Sequence, residues 1–212
     1  MANGFQENLP GALIEAYEVE EYGHASAILL KDFPEEFDEL CDALMRFRIK
    51  KSMIMESGGS ESQIPKTFSG LLRPLGWEET KLEAKMVVDD KPVSRETHKI
   101  DFVKGRVAVD FEWNSKDQTF DRDLYAFRAF HEYNRVSVAV LVTRGSSLAA
   151  YFGTLGTFVD RYGVERPVKD KYGASTTHMG KLLPRLDSNR QGGCPVLVFG
   201  ITEKLIDDDM VE

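Results

Sequence analysis

The sequence predicts an α/β fold in which helices flank a central mixed β-sheet, and three patterns support this prediction. Residues 107–113 alternate between large apolar and small or acidic side chains, as a strand with one buried face does. Residues 136–142 are apolar on both faces, which is typical of a central strand. Residues 34–49 and 121–133 place apolar side chains at helical intervals. Strands and helices in this mixture form layers around a sheet.

The elements before the sheet centre follow from local signals. A short apolar run at residues 25–30 predicts a strand. Asp32 as a cap and Pro34 in the first turn predict the start of the helix over residues 34–49. Residues 57–62 read Ser-Gly-Gly-Ser-Glu-Ser, which predicts a flexible loop that either closes on a ligand or is an ordinary surface loop. A short helix is expected after Pro65, ending near Pro74.

The remaining elements complete one domain over residues 1–212. They are a strand at 85–88, a hairpin at about 97–113, a loop from 114 to 118, a helix at 121–133, a strand at 136–142, a helix at 147–152, a polar loop, a helix beginning at 175–178 and a strand at 195–200.

Composition excludes few functions. Apolar residues make up 42% and charged residues 29% of the 212 residues, as in ordinary globular proteins. No apolar run reaches the roughly 18 residues of a membrane span, and the first residues lack the layout of a signal peptide. Cys41 and Cys194 lie far apart without metal-ligand spacing, so they are expected to be reduced thiols of a cytoplasmic protein.

The charge is unevenly distributed. The net charge of −8 is unusual for a protein that binds nucleic acid, but phosphate binding depends on local charge. Residues 166–190 carry six Lys or Arg side chains against only Asp170 and Asp187, and residues 46–51 form a second basic cluster. Either cluster, taken alone, is more often a solvated face.

Three acids in the predicted hairpin are the most informative feature. Alternation after the turn places Asp110 and Glu112 on one face, opposite the apolar set. With a two-residue turn at Lys104–Gly105, Asp101 lies across from Ala108 on that same face, and Asp110 becomes its diagonal neighbour at roughly 7–8 Å. This face is either a solvated strand face that carries acids by chance or a metal site. Clustered acids without a partner charge favour the metal site.

Magnesium suits such a site because it prefers oxygen ligands and keeps several waters. Asp101, Asp110 and the backbone carbonyl of Phe111 are the expected ligands, and Glu112 would bind a second ion or orient an attacking water. A metal-activated water would serve phosphodiester hydrolysis. The sequence has no phosphate-binding or dinucleotide-binding glycine motif. Structural or surface roles are expected for three histidines: His24, His98 and His131.

The stretch from Ile100 to Glu112 resembles the core of the BglII/BamHI-like type II restriction endonucleases, members of the PD-(D/E)xK nuclease superfamily. The resemblance is closest at this hairpin and extends loosely from about Ala25 to Phe199. It implies a restriction-endonuclease-like core, and a homodimer that uses Mg²⁺ to cut double-stranded DNA within a short palindrome. It also implies that Asp101, Asp110 and Glu112 handle the metal and the water. Because relatives with this core cut GATC-centred hexamers, we expect a similar site.

Two positions depart from the family pattern. Glu112 stands where the superfamily usually has lysine, as it does in BamHI-like members, and Asp110 stands where close relatives carry the longer glutamate. A further acid from the preceding helix often completes such a site. Glu83 and Glu78 are both candidates.

Two segments are candidates for DNA contact. Asn114 and Ser115 resemble the family position that enters the groove. The second candidate segment is a predicted helix start rich in hydroxyl and basic side chains, where free backbone N–H groups favour phosphate binding. An ordinary helix cap is the alternative. The residues of the second segment are Ser175, Thr176, Thr177, His178, Lys181 and Arg185.

The leading functional hypothesis is site-specific DNA cleavage in a restriction–modification system. A structure-directed repair or recombination nuclease on the same fold is the second hypothesis. A DNA-binding module with a decayed site is the third, and the three intact acids argue against it.

Overall fold

The computed structural model describes residues 4–56 and 62–208, and describes only the backbone of residues 82–88 and 91–97. The helices are α1 Gly11–Ala16, α2 Ala25–Asp32, α3 Pro34–Arg46, α4 Lys51–Met55, α5 Gln63–Leu72, α6 Thr119–Glu132, α7 Leu148–Phe152, α8 Val168–Lys171 and α9 Met179–Asp187. The strands are β1 Tyr17–Tyr22, β2 Ile49–Lys50, β3 Glu78–Val88, β4 Lys91–Lys104, β5 Val107–Glu112, β6 Val138–Arg144, β7 Thr157–Val159, β8 Glu165–Pro167, β9 Val196–Ile201 and β10 Ile206–Asp207.

A six-stranded mixed sheet organises the molecule, in the order β1-β9-β6-β5-β4-β3. The central strands β5, β6 and β9 run parallel to one another. At one edge of the sheet β1 pairs antiparallel with β9. Towards the other edge β4 pairs antiparallel with β5, and β3 pairs antiparallel with β4. The predicted α/β fold with a central mixed sheet is therefore confirmed.

Each face of the sheet is covered by its own apolar core. Val107, Val109 and Phe111 of β5 belong to the core that includes α3 and α5. Ala108 belongs to the second core, which contains the buried side chains of α6 and α9. The predicted alternation along β5 is thus correct, and Asp110, two residues beyond Ala108, shares the face that α6 covers.

Four phenylalanine rings support the hairpin from the side opposite α6. The Phe68 ring of α5 stacks on Phe111 of β5, with the ring centroids 4.7 Å apart. It meets Phe47 and Phe102 edge to face, at 5.5 and 5.9 Å. Since Phe102 lies on β4 and Phe111 on β5, this one ring contacts both strands that carry the acids.

Most predicted elements are present with shifted ends. The helix predicted over 34–49 ends at Arg46, because Phe47 adopts an extended backbone. The helix predicted at 121–133 begins at Thr119, and the strands predicted at 136–142 and 195–200 correspond to β6 and β9. The helix predicted to begin at 175–178 begins at Met179, with His178 preceding it.

Three expectations near the N-terminus and the loops have other outcomes. Residues 25–30 form helix α2 and not a strand, with Ala25, Ser26 and Leu29 buried on one side. A short apolar run does not distinguish a buried strand from a helix, which explains the error. Asp32 ends α2 and does not cap α3. The predicted loop at 57–62 lies almost entirely outside the described residues.

The sequence did not predict strands β1, β2, β7, β8 and β10 or helices α1, α4 and α8. β1 reads Tyr-Glu-Val-Glu-Glu-Tyr, an acidic sequence that gives little apolar signal, and it pairs only at the edge of the sheet. Among the described residues no helix combines the length and apolar character needed to cross a membrane.

We predict that Phe68→Ala lowers the free energy of unfolding by about 3–5 kcal/mol, because it leaves a cavity beneath both strands of the hairpin. Denaturant titration followed by circular dichroism measures this loss. Met45→Ala is the control, since Met45 is an exposed residue on α3 and its truncation should change stability by no more than about 0.5 kcal/mol. Equal losses in the two variants would contradict the role assigned to Phe68.

Candidate active site

The turn of the hairpin lies one residue later than the sequence suggested. Lys104 pairs with Val107, Val103 with Ala108, and Phe102 with Val109, so the turn residues are Gly105 and Arg106. Gly105 has a φ of 55°, and Gly is the favoured residue where the first position of a two-residue turn needs a positive φ. The prediction that Asp101 lies across from Ala108 is therefore wrong.

This register brings Asp101 and Asp110 directly together, where the prediction made them diagonal neighbours. The ladder between β4 and β5 ends at the Phe102–Val109 pair. Beyond it, the backbone N–H of Asp101 donates to Oδ1 of Asp110 at 2.7 Å, and the backbone N–H of Phe111 donates to Oδ2 of Asp101 at 3.2 Å. Each carboxylate thus accepts from the backbone of the opposite strand, which fixes both side chains at the open end of the hairpin.

A fourth acid, Asp123 of α6, joins this group. Asp110 and Asp123 are each only 3% exposed, and Glu112 is partly buried. One oxygen in each of these three carboxylates is buried without a hydrogen-bond partner. The hydroxyl of Ser115 bonds to Glu112. Three buried carboxylate oxygens without partners are unusual, because such groups normally find a donor.

The environment raises the pKa of all four acids. Burial is the largest cause for each of them. The neighbouring Asp101 further raises the pKa of Asp110, which lies well above its usual range. The pKa of Glu112 is raised to about 7, although the Ser115 hydrogen bond acts in the opposite direction. Burial and the adjacent Asp110 raise the pKa of Asp123 to about 10.

The donor set suits a hard cation. In the described part of the chain, no three His, Cys, Asp or Glu side chains stand together as a ready-made metal site. Magnesium, however, retains several waters and needs only one or two protein carboxylates. The partnerless oxygens of Asp110, Glu112 and Asp123 are the donors that such an ion prefers. A cation would also relieve the repulsion that raises these pKa values.

A cleft of about 200 Å³ opens beside Asp101. Phe102 and Phe111 line it from the hairpin, Lys66 and Ser69 line it from α5, and Arg73 lines it from the residue after α5. Arg73 also lies over the Phe102 ring at 4.8 Å and lowers the pKa of Asp101. The cleft thus offers positive side chains at the edge of an acidic site.

The two acids expected to complete the site from a preceding helix do not lie on a helix. Glu78 and Glu83 both lie on strand β3, so the expectation of a helix acid there is wrong. Glu78 is exposed and pairs with Val103, and the side chain of Glu83 lies outside the described residues. Asp123 could have been found from sequence, because it lies four residues before Phe127 on the apolar face of the predicted helix.

The two candidate DNA segments lie against each other. Ser115 accepts through its carbonyl from the backbone N–H of Thr177 at 2.9 Å, and Asp117 donates to the carbonyl of Ser175 at 3.0 Å. Asn114 donates to the carbonyl of Lys171. Residues 114–117 and 175–177, distant in sequence, therefore form one continuous surface next to Glu112.

Not every side chain of this surface is open to solvent. Thr177 is fully buried, and both Thr176 and the Thr177 carbonyl bind the buried guanidinium of Arg144. Ser175 is exposed and His178 is partly buried. Thr176 and Thr177 therefore hold this loop in place, and their hydroxyls do not face outward.

The basic side chains of α9 have acidic partners within the chain. Arg185 donates to both carboxylate oxygens of Asp121, at 3.0 and 3.2 Å, and Lys181 lies 3.8 Å from Asp117. Arg190 also bonds to Asp121. The charge excess read from residues 166–190 is thus partly neutralised by acids that lie outside that segment.

We predict that Glu112→Gln stabilises the metal-free protein at pH 8 by about 1–3 kcal/mol relative to wild type. The folded-state pKa of Glu112, about 7, lies above its unfolded value, so the native state holds the extra proton. Titration of Glu112 therefore lowers the free energy of unfolding of the wild type as pH rises from about 4.5 to 7. The variant has no titrating group at this position, so this contribution is absent from its pH profile. Urea titrations in a chelator from pH 5 to 8 measure the difference.

Glu132→Gln is the control, because Glu132 is exposed and pairs only with Arg128 on the same helix. A Glu112→Gln protein whose stability follows the wild-type pH profile would contradict the assignment of Glu112 to this buried cluster.

Comparison with known proteins agrees with this geometry. The family model described as restriction endonuclease BglII/BglIII matches residues 17–201, from the first residue of β1 to the last of β9. A search of curated protein sequences gave no match. The matched region contains the whole sheet, the carboxylate hairpin and α6. Because the match spans most of the chain, this protein belongs to the BglII/BglIII restriction endonuclease family, which makes it a type II site-specific deoxyribonuclease.

Proposed function

We propose that the protein is an Mg²⁺-dependent restriction endonuclease that cleaves both strands of double-stranded DNA at a short palindromic site, within a restriction–modification system in the cytoplasm. The observation that carries this proposal is the crossed pair of hydrogen bonds between Asp101 and Asp110, beside partnerless oxygens of buried acids. The whole chain, residues 1–212, would act as one endonuclease domain.

Asp101, Asp110 and the backbone carbonyl of Phe111 would hold the ion, with Glu112 beside them. When bound, Mg²⁺ would offset negative charge developing on the phosphate and make a bound water more acidic. The hydrogen bonds from the backbone N–H groups hold Asp101 and Asp110 in place without consuming every carboxylate oxygen. The site is therefore organised before a ligand arrives.

Glu112 is assigned the proton transfer. Its pKa of about 7 lets it exist as the base at neutral pH and still hold a proton afterwards. In this assignment the oxygen of a water attacks phosphorus, and Glu112 accepts the proton of that water. The phosphorus–oxygen bond to the leaving DNA oxygen breaks, and that oxygen takes up a proton from solvent water to become a hydroxyl. The Ser115 hydroxyl keeps the Glu112 carboxylate oriented.

The DNA is proposed to lie across the joined surface of residues 114–117 and 175–181. Ser175 and His178 would face the groove or the phosphates, and Lys181 would bind a phosphate. The predicted contacts of Asn114 and Ser115 would be indirect, since the Asn114 amide donates to Lys171, its Oδ1 is buried, and the Ser115 hydroxyl bonds to Glu112. Thr176, Thr177 and Arg185 would contribute by fixing the loop and α9 in position, since their polar groups are engaged within the protein or buried.

A palindrome is read most simply by a twofold dimer whose symmetry matches that of the DNA. We therefore propose a homodimer acting on a GATC-centred site. Incubating the protein with plasmid and Mg²⁺, and then sequencing the ends, tests this against the two alternatives. Identical ends within one palindrome support the proposal. Cuts at junctions or flaps would indicate a repair nuclease, and uncut DNA would indicate a binding module.

We predict that Asp101→Asn and Asp110→Asn each reduce cleavage at least about 10³-fold, because each removes a charged oxygen donor from the site. Both variants should remain folded and bind DNA, which gel-shift assays in Ca²⁺ test. Asp38→Asn, a change at an exposed residue of α3, should cut like wild type. Near wild-type turnover by Asp101→Asn or Asp110→Asn would refute the site assignment.

We predict that Lys181→Ala lowers DNA affinity about equally for all sequences and reduces the slope of log affinity against log salt by about one, as loss of a phosphate contact does. Arg185→Ala should instead lower protein stability, because it leaves Asp121 with fewer partners. Binding isotherms across salt on specific and single-mismatch duplexes measure the first effect. An unchanged salt slope in Lys181→Ala would place the DNA elsewhere.

A further inference from the structure

Asp123 has no role in the cleavage scheme above, yet its position calls for a function. It lies in the second turn of α6, between Phe120 and Phe127, whose side chains are fully buried in the apolar core. Its side chain is 3% exposed, and Oδ2 is buried without a partner. A helix face of this kind ordinarily holds an apolar residue, so a carboxylate here opposes the stability of the fold.

The charges around Asp123 are almost all negative. Asp110 acts on it most strongly, followed by Glu112 and Asp101. Among the described residues the opposing influence comes from Arg122, whose side chain is directed to the hydroxyl of Thr119 at 3.1 Å. Protein groups near Asp123 thus leave its charge uncompensated.

We propose that Asp123 contributes its carboxylate, directly or through an ordered water, to the divalent-cation site formed by Asp101, Asp110 and Glu112. This inference rests on the proposed function and extends its site beyond the three hairpin acids. The site then spans two elements: the hairpin and α6. Binding a cation would fasten α6 onto the open end of the hairpin, where the β4–β5 ladder stops.

The oxygen atoms of the cluster point the same way. Asp110, Glu112 and Asp123 each present a buried oxygen that has no protein donor. A hydrated cation beside Asp110 would supply donors to these oxygens through its ordered waters, which agrees with the absence of a ready-made group of three ligands among the described residues. Removing the Asp123 charge should therefore weaken cation binding even though the hairpin is intact.

Titration of the metal-free protein with Mn²⁺, followed by calorimetry and by the electron paramagnetic resonance of the free ion, tests this without DNA or catalysis. Asp123→Asn should weaken Mn²⁺ binding about 10–100-fold, as loss of a supporting group at a metal site does. Because the pKa of Asp123 is about 10, this carboxyl is neutral near pH 7 in the metal-free protein, and Asp123→Asn should leave the thermal midpoint of the metal-free protein close to that of wild type. Asp123→Ala should weaken binding in the same way and provides a second variant.

Asp121→Asn is the matched control. Asp121 lies two residues away on the same helix, but it pairs with Arg185 and Arg190, outside the cluster. It should bind Mn²⁺ like wild type. Wild-type affinity in both Asp123 variants, alongside weakened binding in Asp110→Asn, would overturn the inference and leave the proposed function intact. If wild type itself binds no Mn²⁺, or Asp110→Asn binds it equally well, the metal site of the proposed function fails, and this inference fails with it.

Discussion

The burial of four neighbouring carboxylates is the constraint around which this structure is arranged. Burial favours the neutral form of Asp101, Asp110, Glu112 and Asp123, and nearby acids add to this effect. A polypeptide holds such a group only if its surroundings are rigid and well packed. The stacked Phe68 and Phe111 rings on one side and the apolar face of α6 on the other provide that packing. The site therefore depends on stability contributed by residues that never contact a substrate.

The hairpin register shows where sequence reasoning stops. The alternation in residues 107–113 was enough to place Asp110 and Glu112 on one face, and the structure agrees. Because side chains alternate with a period of two, moving the turn by one residue shifts the pairing by two and leaves the faces unchanged. The predicted proximity of Asp101 and Asp110 was thus correct, while the residue predicted to lie across from Asp101 was not. The pairing of Lys104 with Val107 distinguishes the two turns, and a Lys-Gly-Arg sequence permits either.

Asp123 illustrates a different limit. Helical periodicity predicts that this acid lies on the buried face of α6, but it does not predict which strand residues the acid contacts. That contact depends on α6 crossing the sheet over β4 and β5, a long-range arrangement with no local sequence signal. The error at residues 25–30 has the opposite origin, since there the local pattern is ambiguous and tertiary packing decides for a helix. The sheet centre was predictable because its strands are apolar on both faces.

The electrostatics of the proposed DNA surface follow from the same folding constraints. Arg144, at the end of β6, is buried without a carboxylate partner in the described structure and donates to the carbonyls of Thr177 and Tyr172. Arg144 thus holds the loop before α9 against β6, the strand that pairs with β5. The surface charge of α9 is then moderated by Asp117 and Asp121. In the proposed complex Lys181 would exchange its ion pair with Asp117 for a phosphate contact, so a protein of net charge −8 would gain selectivity from shape and hydrogen bonding more than from bulk attraction.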